Sequence, residues 1–99
     1  MAKKVLVVAR DMVFRAKLRG VIASAAGELA SDEASCDLAV VEIEAANWDI
    51  RIRKIVARGT PVLAFGSHVR VDLLQAAREA GARAVPNSQV ESALREMLA

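Results

Sequence analysis

Leu38-Ala39-Val40-Val41-Glu42-Ile43 decides the fold. Five of its six residues are apolar and three are β-branched, with no polar residue until Glu42. A strand with one wet face alternates apolar and polar residues; an unbroken apolar run marks a strand covered on both faces, the habit of parallel sheets. Two more runs share that character, Val5-Leu6-Val7-Val8 upstream and Thr60-Pro61-Val62-Leu63-Ala64-Phe65 downstream. Pro61 falls among the first positions of its strand, where no ladder donor is missed. Ala82 to Val85 is a shorter fourth run.

Between the runs the period changes from two to 3.6. Asp11 is placed to cap a helix over residues 12–26, with Phe14, Leu18, Val21, Ile22 and Ala25 on one face and Arg15, Lys17 and Arg19 mostly off it. A second helix starts at Asn47 or Asp49, runs through Ile52, Ile55 and Val56, and ends at Gly59. Gly66-Ser67-His68 reads as a turn, Asp72 to Ala80 as a helix closed by Gly81, and Ser88 as the cap of a last helix burying Val90, Leu94, Met97 and Leu98. Strand and helix alternate throughout, which predicts an α/β sandwich around an open parallel sheet of four to five strands. Residues 27–36 interrupt the scheme. Leu29 and Ala30 supply at most a stub of edge strand, and too few residues follow for a helical crossover, which needs about a dozen.

With 99 residues, the chain is expected to form one domain over 1–99. Hydrophobic residues make up 55%, too many for a disordered chain, yet no apolar run approaches the ~18 residues of a membrane span. Lys3 and Lys4 precede only a short apolar run, broken at once by Arg10 and Asp11, so the opening reads as a strand and not a secretion signal. One cysteine, Cys36, excludes an internal disulfide, and with one histidine no structural metal site is expected. A cytoplasmic protein without cofactor follows. The net charge of +2 is segregated: residues 1–26 carry +5, residues 27–49 carry −7 with no Lys or Arg, and residues 50–99 carry +4. Near-neutrality and only three aromatic residues argue against nonspecific nucleic-acid binding as the main role.

Four segments in this order resemble the response-regulator receiver domain of the chemotaxis-regulator type. They are Val5-Leu6-Val7-Val8 with Arg15 and Leu18-Arg19, Asp37-Leu38-Ala39-Val40-Val41, Thr60-Pro61-Val62-Leu63-Ala64, and Ala77-Arg78-Glu79-Ala80-Gly81-Ala82. The resemblance implies a flavodoxin-like three-layer sandwich, with the family's second helix missing or reduced at residues 27–36. It also implies a pocket at Arg10, Asp11, Glu42, Gly66, Ser67, Asn87 and Ser88. Receivers hold Mg²⁺ there with an acidic pair, where this chain has Ala9 and Arg10, leaving Asp11 as a third acid. Glu42 matches the phosphoacceptor Asp and Gly66, with Ser67 next, the Thr or Ser. The family's Lys falls at Val85, Asn87 or Ser88, and the aromatic switch position holds no aromatic. The likeness carries the fold and not the phosphorylation residues.

Ligands of a parallel sheet lie beyond the carboxyl ends of its strands, here a rim with Arg10, Asp11, Glu42, Glu44, Ser67, His68, Asn87 and Ser88. An Arg10–Glu42 ion pair is expected across it, the guanidinium standing in for the metal's charge. His68 suits a general base or phosphocarrier, or is a solvated turn residue. Cys36 suits a redox sensor or a small apolar filler. The candidate partner surface comprises Trp48, Arg51, Lys54, His68, Arg78 and Arg95, around the helices that the family uses for partners. The leading expectation is a non-phosphorylatable receiver-like signalling or interaction module, not an enzyme, with a protein partner or a second copy and no membrane. Behind it stand a small enzyme or phosphotransfer domain working at Glu42 and His68, and a nucleic-acid adaptor using the basic helix 50–58.

Overall fold

The three apolar runs form the centre of the sheet because no other arrangement hides both their faces. In a computed structural model describing residues 2–99, Lys4–Val8 (β1), Leu38–Glu42 (β3), Val62–Gly66 (β4) and Arg83–Pro86 (β5) pair in parallel, with Glu28–Leu29 (β2) as a two-residue edge. Strand order is β2-β1-β3-β4-β5. The ladder sets Val5 opposite Leu38, Val41 opposite Ala64 and Glu42 opposite Phe65. Helices Met12–Ser24 (α1) and Val90–Leu98 (α4) bury Leu18, Val21, Ile22, Val90 and Leu94 against one face with Val5, Val40, Leu63 and Phe65. Helices Trp48–Ala57 (α2) and Val71–Glu79 (α3) bury Ile52, Ile55, Leu74 and Ala77 against the other with Leu6, Val8, Val41 and Ala64. Odd and even residues of β1 and β3 thus feed separate cores, as the period of two requires.

Residues 30–37 hold turns and bends but no helix. The short connection is stitched by Asp32 and Asp37. Asp32 accepts from the Ser35 amide (2.8 Å), and Asp37 from the Lys4 amide (2.9 Å). Those Ser35 contacts hold the Asp32 carboxyl below the usual carboxylate range.

Three local expectations need correction. Ser88 does not cap the last helix: Asn87–Gln89 form a 3-10 turn first, and α4 begins at Val90 with Gln89 as N-cap and no side-chain cap bond. Gly66 is the last residue of β4, because its pairing with Pro86 extends the ladder by one step. Ala25, placed on the buried face of the first helix, is exposed at its C-terminal cap, since α1 ends at Ser24. At α2, Asn47 is the N-cap in left-handed backbone (φ 58°) but makes no cap bond, while Asp49 lies in the first turn. Gly59 (φ 83°) and Gly81 (φ 103°) follow α2 and α3 in the left-handed region that favours glycine.

Candidate functional site

Both central strands end at one rim, and the sequence that follows each carries an acid. Asp11 faces the first turn of α1, where helix amides lack partners. Its carboxylate accepts from Val13 N (2.8 Å) and Phe14 N (3.3 Å), an ordinary N-cap. Glu42, last in β3 and half-buried, reaches across to β1: its Oε1 accepts from the amides of Arg10 (2.6 Å) and Asp11 (2.9 Å). The expected Arg10–Glu42 ion pair does not form; the bond between the two residues comes from the Arg10 backbone amide. Among the described residues the Arg10 guanidinium, on an exposed residue, makes no ion pair with Glu42 or Asp11. Two amides at a helix start already satisfy the carboxylate, so no side-chain cation is required there.

The rest of the rim is more dispersed. Gly66 is buried against Ile43: a Cβ there would lie 3.2 Å from the Ile43 Cβ. The Ser67 hydroxyl accepts weakly from Val69 N (3.4 Å), and His68 is exposed in the turn beyond it. Asn87 and Ser88 sit in the 3-10 turn after β5. Glu44, at positive φ (80°), pairs with Arg70 (2.9 Å), which also reaches Asp72 (3.4 Å). The Arg70 guanidinium holds the Asp72 carboxyl below its ordinary value.

Of the candidate partner residues, Trp48 is half-buried against the core under α2 and α3. Arg51 pairs with Glu33 (3.0 Å), Lys54 is exposed on α2, and Arg78 donates to the Ala84 carbonyl (3.0 Å). Arg95 projects from α4, on the opposite face of the sheet from α2 and α3, so these residues do not share one surface.

No family model matches the sequence, and no curated protein matches it. The fold does match. A BeF3-activated DrrB receiver domain superposes with a TM-score of 0.82 over 99% of this chain and 95% of its own, at 18% identity. A CheY-like response regulator receiver domain protein from Methanospirillum hungatei JF-1 gives 0.75 over 99% and 94%, at 14% identity. A response regulator from Thermotoga maritima gives 0.75 over 99% and 95%, at 19% identity.

The chain has the receiver fold.

A receiver fold implies a Mg²⁺ site at this rim, and the residues present do not fit one. Mg²⁺ demands several hard oxygens in octahedral array. Here the Asp11 carboxylate serves the first turn of α1, and the Glu42 carboxylate serves two amides. Among the described residues, no three His, Cys, Asp or Glu side chains gather closely enough to hold a metal ion.

Sequence reasoning missed two partners. Arg15, read as lying off the apolar face of α1, folds back so that its Nη2 donates to the carbonyl of Ala9. Glu33, in the shortened connection, braces Arg51. Arg15 follows the N-cap Asp11 by four residues, a spacing that keeps it near the helix start and was the one available signal. Nothing local pairs Glu33 with a residue 18 positions away.

Proposed function

We propose that this receiver-fold chain is a signalling module that is not phosphorylated and acts by binding a protein partner or a second copy of itself. The observation that carries the reading is the Glu42 carboxylate bridged to the amides of Arg10 and Asp11. Attack on a phosphoryl group through Oε1 would break both N–H bonds, and attack through Oε2 would have to come from a side chain held by Oε1 and one methylene longer than the family's Asp. Without a fitting metal site, charge developing on that group would also go unneutralised. Switching by aspartyl-type phosphorylation is therefore replaced by a rim tied shut. The enzyme and nucleic-acid readings gain no comparable support, since His68 is exposed in a turn and the acidic segment 27–49 places Glu33 against the basic helix.

Incubation with acetyl phosphate and Mg²⁺, read by intact mass, is expected to add nothing to Glu42 or Asp11. A stoichiometric gain of one phosphate would overturn the reading. Sedimentation across a concentration series tests self-association separately from capture of a different protein.

A further inference from the structure

The shortened connection leaves a gap with a distinctive lining. Strand β2 pairs only with Lys4 and Val5, so β1 beyond Val5 has no strand partner on that side. An open groove of about 340 Å³ lies at this end of β1, with Val8 and Ala9 on its floor and Arg10, Arg15 and Arg51 around it. That volume is at the small end of ligand clefts, roughly 300–1,000 Å³. Its charged lining is three guanidinium groups and no carboxylate.

Two of the three are already ordered. Arg15 is half-buried and tethered to the Ala9 carbonyl, and Arg51, 33% exposed at its side chain, is held through Nε by Glu33. Each of those bonds occupies one of the five donors that a guanidinium carries, leaving most of the fork free. Arg10 is exposed and makes no ion pair among the described residues. Two fixed forks and one free arm form a preorganised anion clamp, in which little side-chain entropy is left to lose on binding.

We propose that this groove binds the phosphate group of a small phosphate ester, free or borne on a side chain. Concentrated charge favours phosphate over an acidic peptide. Three cations around so small a volume suit one dianion with three acceptor oxygens, whereas carboxylates on an extended chain are spread at about 3.3–3.6 Å per residue. The surroundings disfavour a nucleic acid. Glu33 stands beside Arg51, and the segment 27–49 carries seven acids and no base, so a long polyanion leaving the groove meets repulsion.

The test is calorimetry on the full chain with AMP and with a phosphoserine peptide; an unphosphorylated Glu-rich peptide is the competitor class. Saturable 1:1 binding of either phosphate probe is expected, and the probe that binds identifies the source. Arg10→Ala and Arg51→Gln should each weaken it about tenfold, the loss of one charge-assisted hydrogen bond. Glu33→Gln keeps an acceptor for Arg51 Nε but removes a negative charge beside the groove, and should strengthen binding severalfold, which a purely structural role for Glu33 does not predict. Arg83→Ala, whose partner is Glu96 on α4, should leave it unchanged. Non-saturating binding to both phosphate probes, equal loss in Arg83→Ala, or tighter binding of the Glu-rich peptide would overturn the assignment. Arg10 is exposed and makes no ion pair among the described residues, so Arg10→Ala keeps the test open even if Arg51→Gln disturbs α2.

Discussion

Replacing Glu42 separates a tie within the rim from a remnant of phosphorylation chemistry. Its Oε1 accepts from Arg10 N at 2.6 Å and Asp11 N at 2.9 Å, and both amides lie between the end of β1 and the first turn of α1. A hydrogen bond to a charged group contributes about 1.5–3 kcal/mol when buried. Both of these bonds are at an exposed position, where water takes over the freed amides, so each is reduced to about half or less. Glu42→Ala should then cost about 1–2 kcal/mol, because the backbone pairing with Phe65 is retained and only the side chain is lost. For a chain of this size that is a fall in Tm of roughly 5–12 °C.

The neighbouring variants sharpen the test. Glu42→Gln keeps a carbonyl oxygen at the same reach and exchanges charged bonds for neutral ones, a loss of less than about 1 kcal/mol. Glu42→Asp keeps the charge and withdraws it by one C–C bond, about 1.5 Å. That carries the oxygen out of hydrogen-bond range of at least one amide. The expected order of stability is Glu, then Gln, then Asp close to Ala. Guanidinium melts with an unchanged m-value would measure it. Asp as stable as Glu, or Gln as damaging as Ala, would refute the reasoning, because either outcome would mean that reach to the two amides is not what Glu42 contributes.

Other substitutions probe single elements. Gly81→Ala should lower stability by about 1–3 kcal/mol from left-handed strain, and by more from a Cβ 2.8 Å from Val56 Cγ1; a paired Val56→Ala should relieve only the second part. Asp11→Ala removes the acceptor for Val13 N and Phe14 N and should cost about 1 kcal/mol in a denaturant melt. Burial pushes the Cys36 thiol above its ordinary range, so alkylation at pH 8 should be slow in the folded chain and fast in denaturant. The same shift sets a sign. The folded value exceeds the unfolded one, so this contribution is full below the ordinary thiol range, about 8.5, and declines as pH rises toward the raised folded value. Cys36→Ala should flatten that alkaline slope.

How legible each feature was follows from where its cause lies. Leu38 to Val41 are 0–2% exposed, and an apolar run that continuous has only the interior of a parallel sheet to occupy. Asp11 announced α1 through its own side chain, and the missing helix was a matter of counting residues 27–36. Ser88 looked as good a cap as Asp11, yet it lies in a 3-10 turn that delays the start of α4 by one residue. An ion pair between Arg10 and Glu42 was expected at the rim, and among the described residues none forms. The wrong pairing was inferred because side-chain charges appear in a sequence and backbone amides, identical at every position, do not. The grouping of Arg10, Arg15 and Arg51 was illegible for a further reason. It depends on which side of β1 the short connection leaves uncovered.

That uncovered side makes Arg51 answer to two structures at once. Its Nε bond to Glu33 is a side-chain link between α2 and the turns that replace a crossover helix, and the same guanidinium lines the groove beside β1. The pair is partly exposed, 33% and 22%, so it contributes little to stability on its own, about 0–1 kcal/mol. Under the proposed assignment an anion in the groove would meet Arg51 through the donors that Glu33 leaves free, while Asp37 and β2 still tie the segment to Lys4 and Val5. The tie at Glu42 meets the groove at Arg10, whose amide it holds, and shares no hydrogen bond with Arg51. Arg10 thus joins the two features: Glu42 fixes its amide, and its side chain lines the groove.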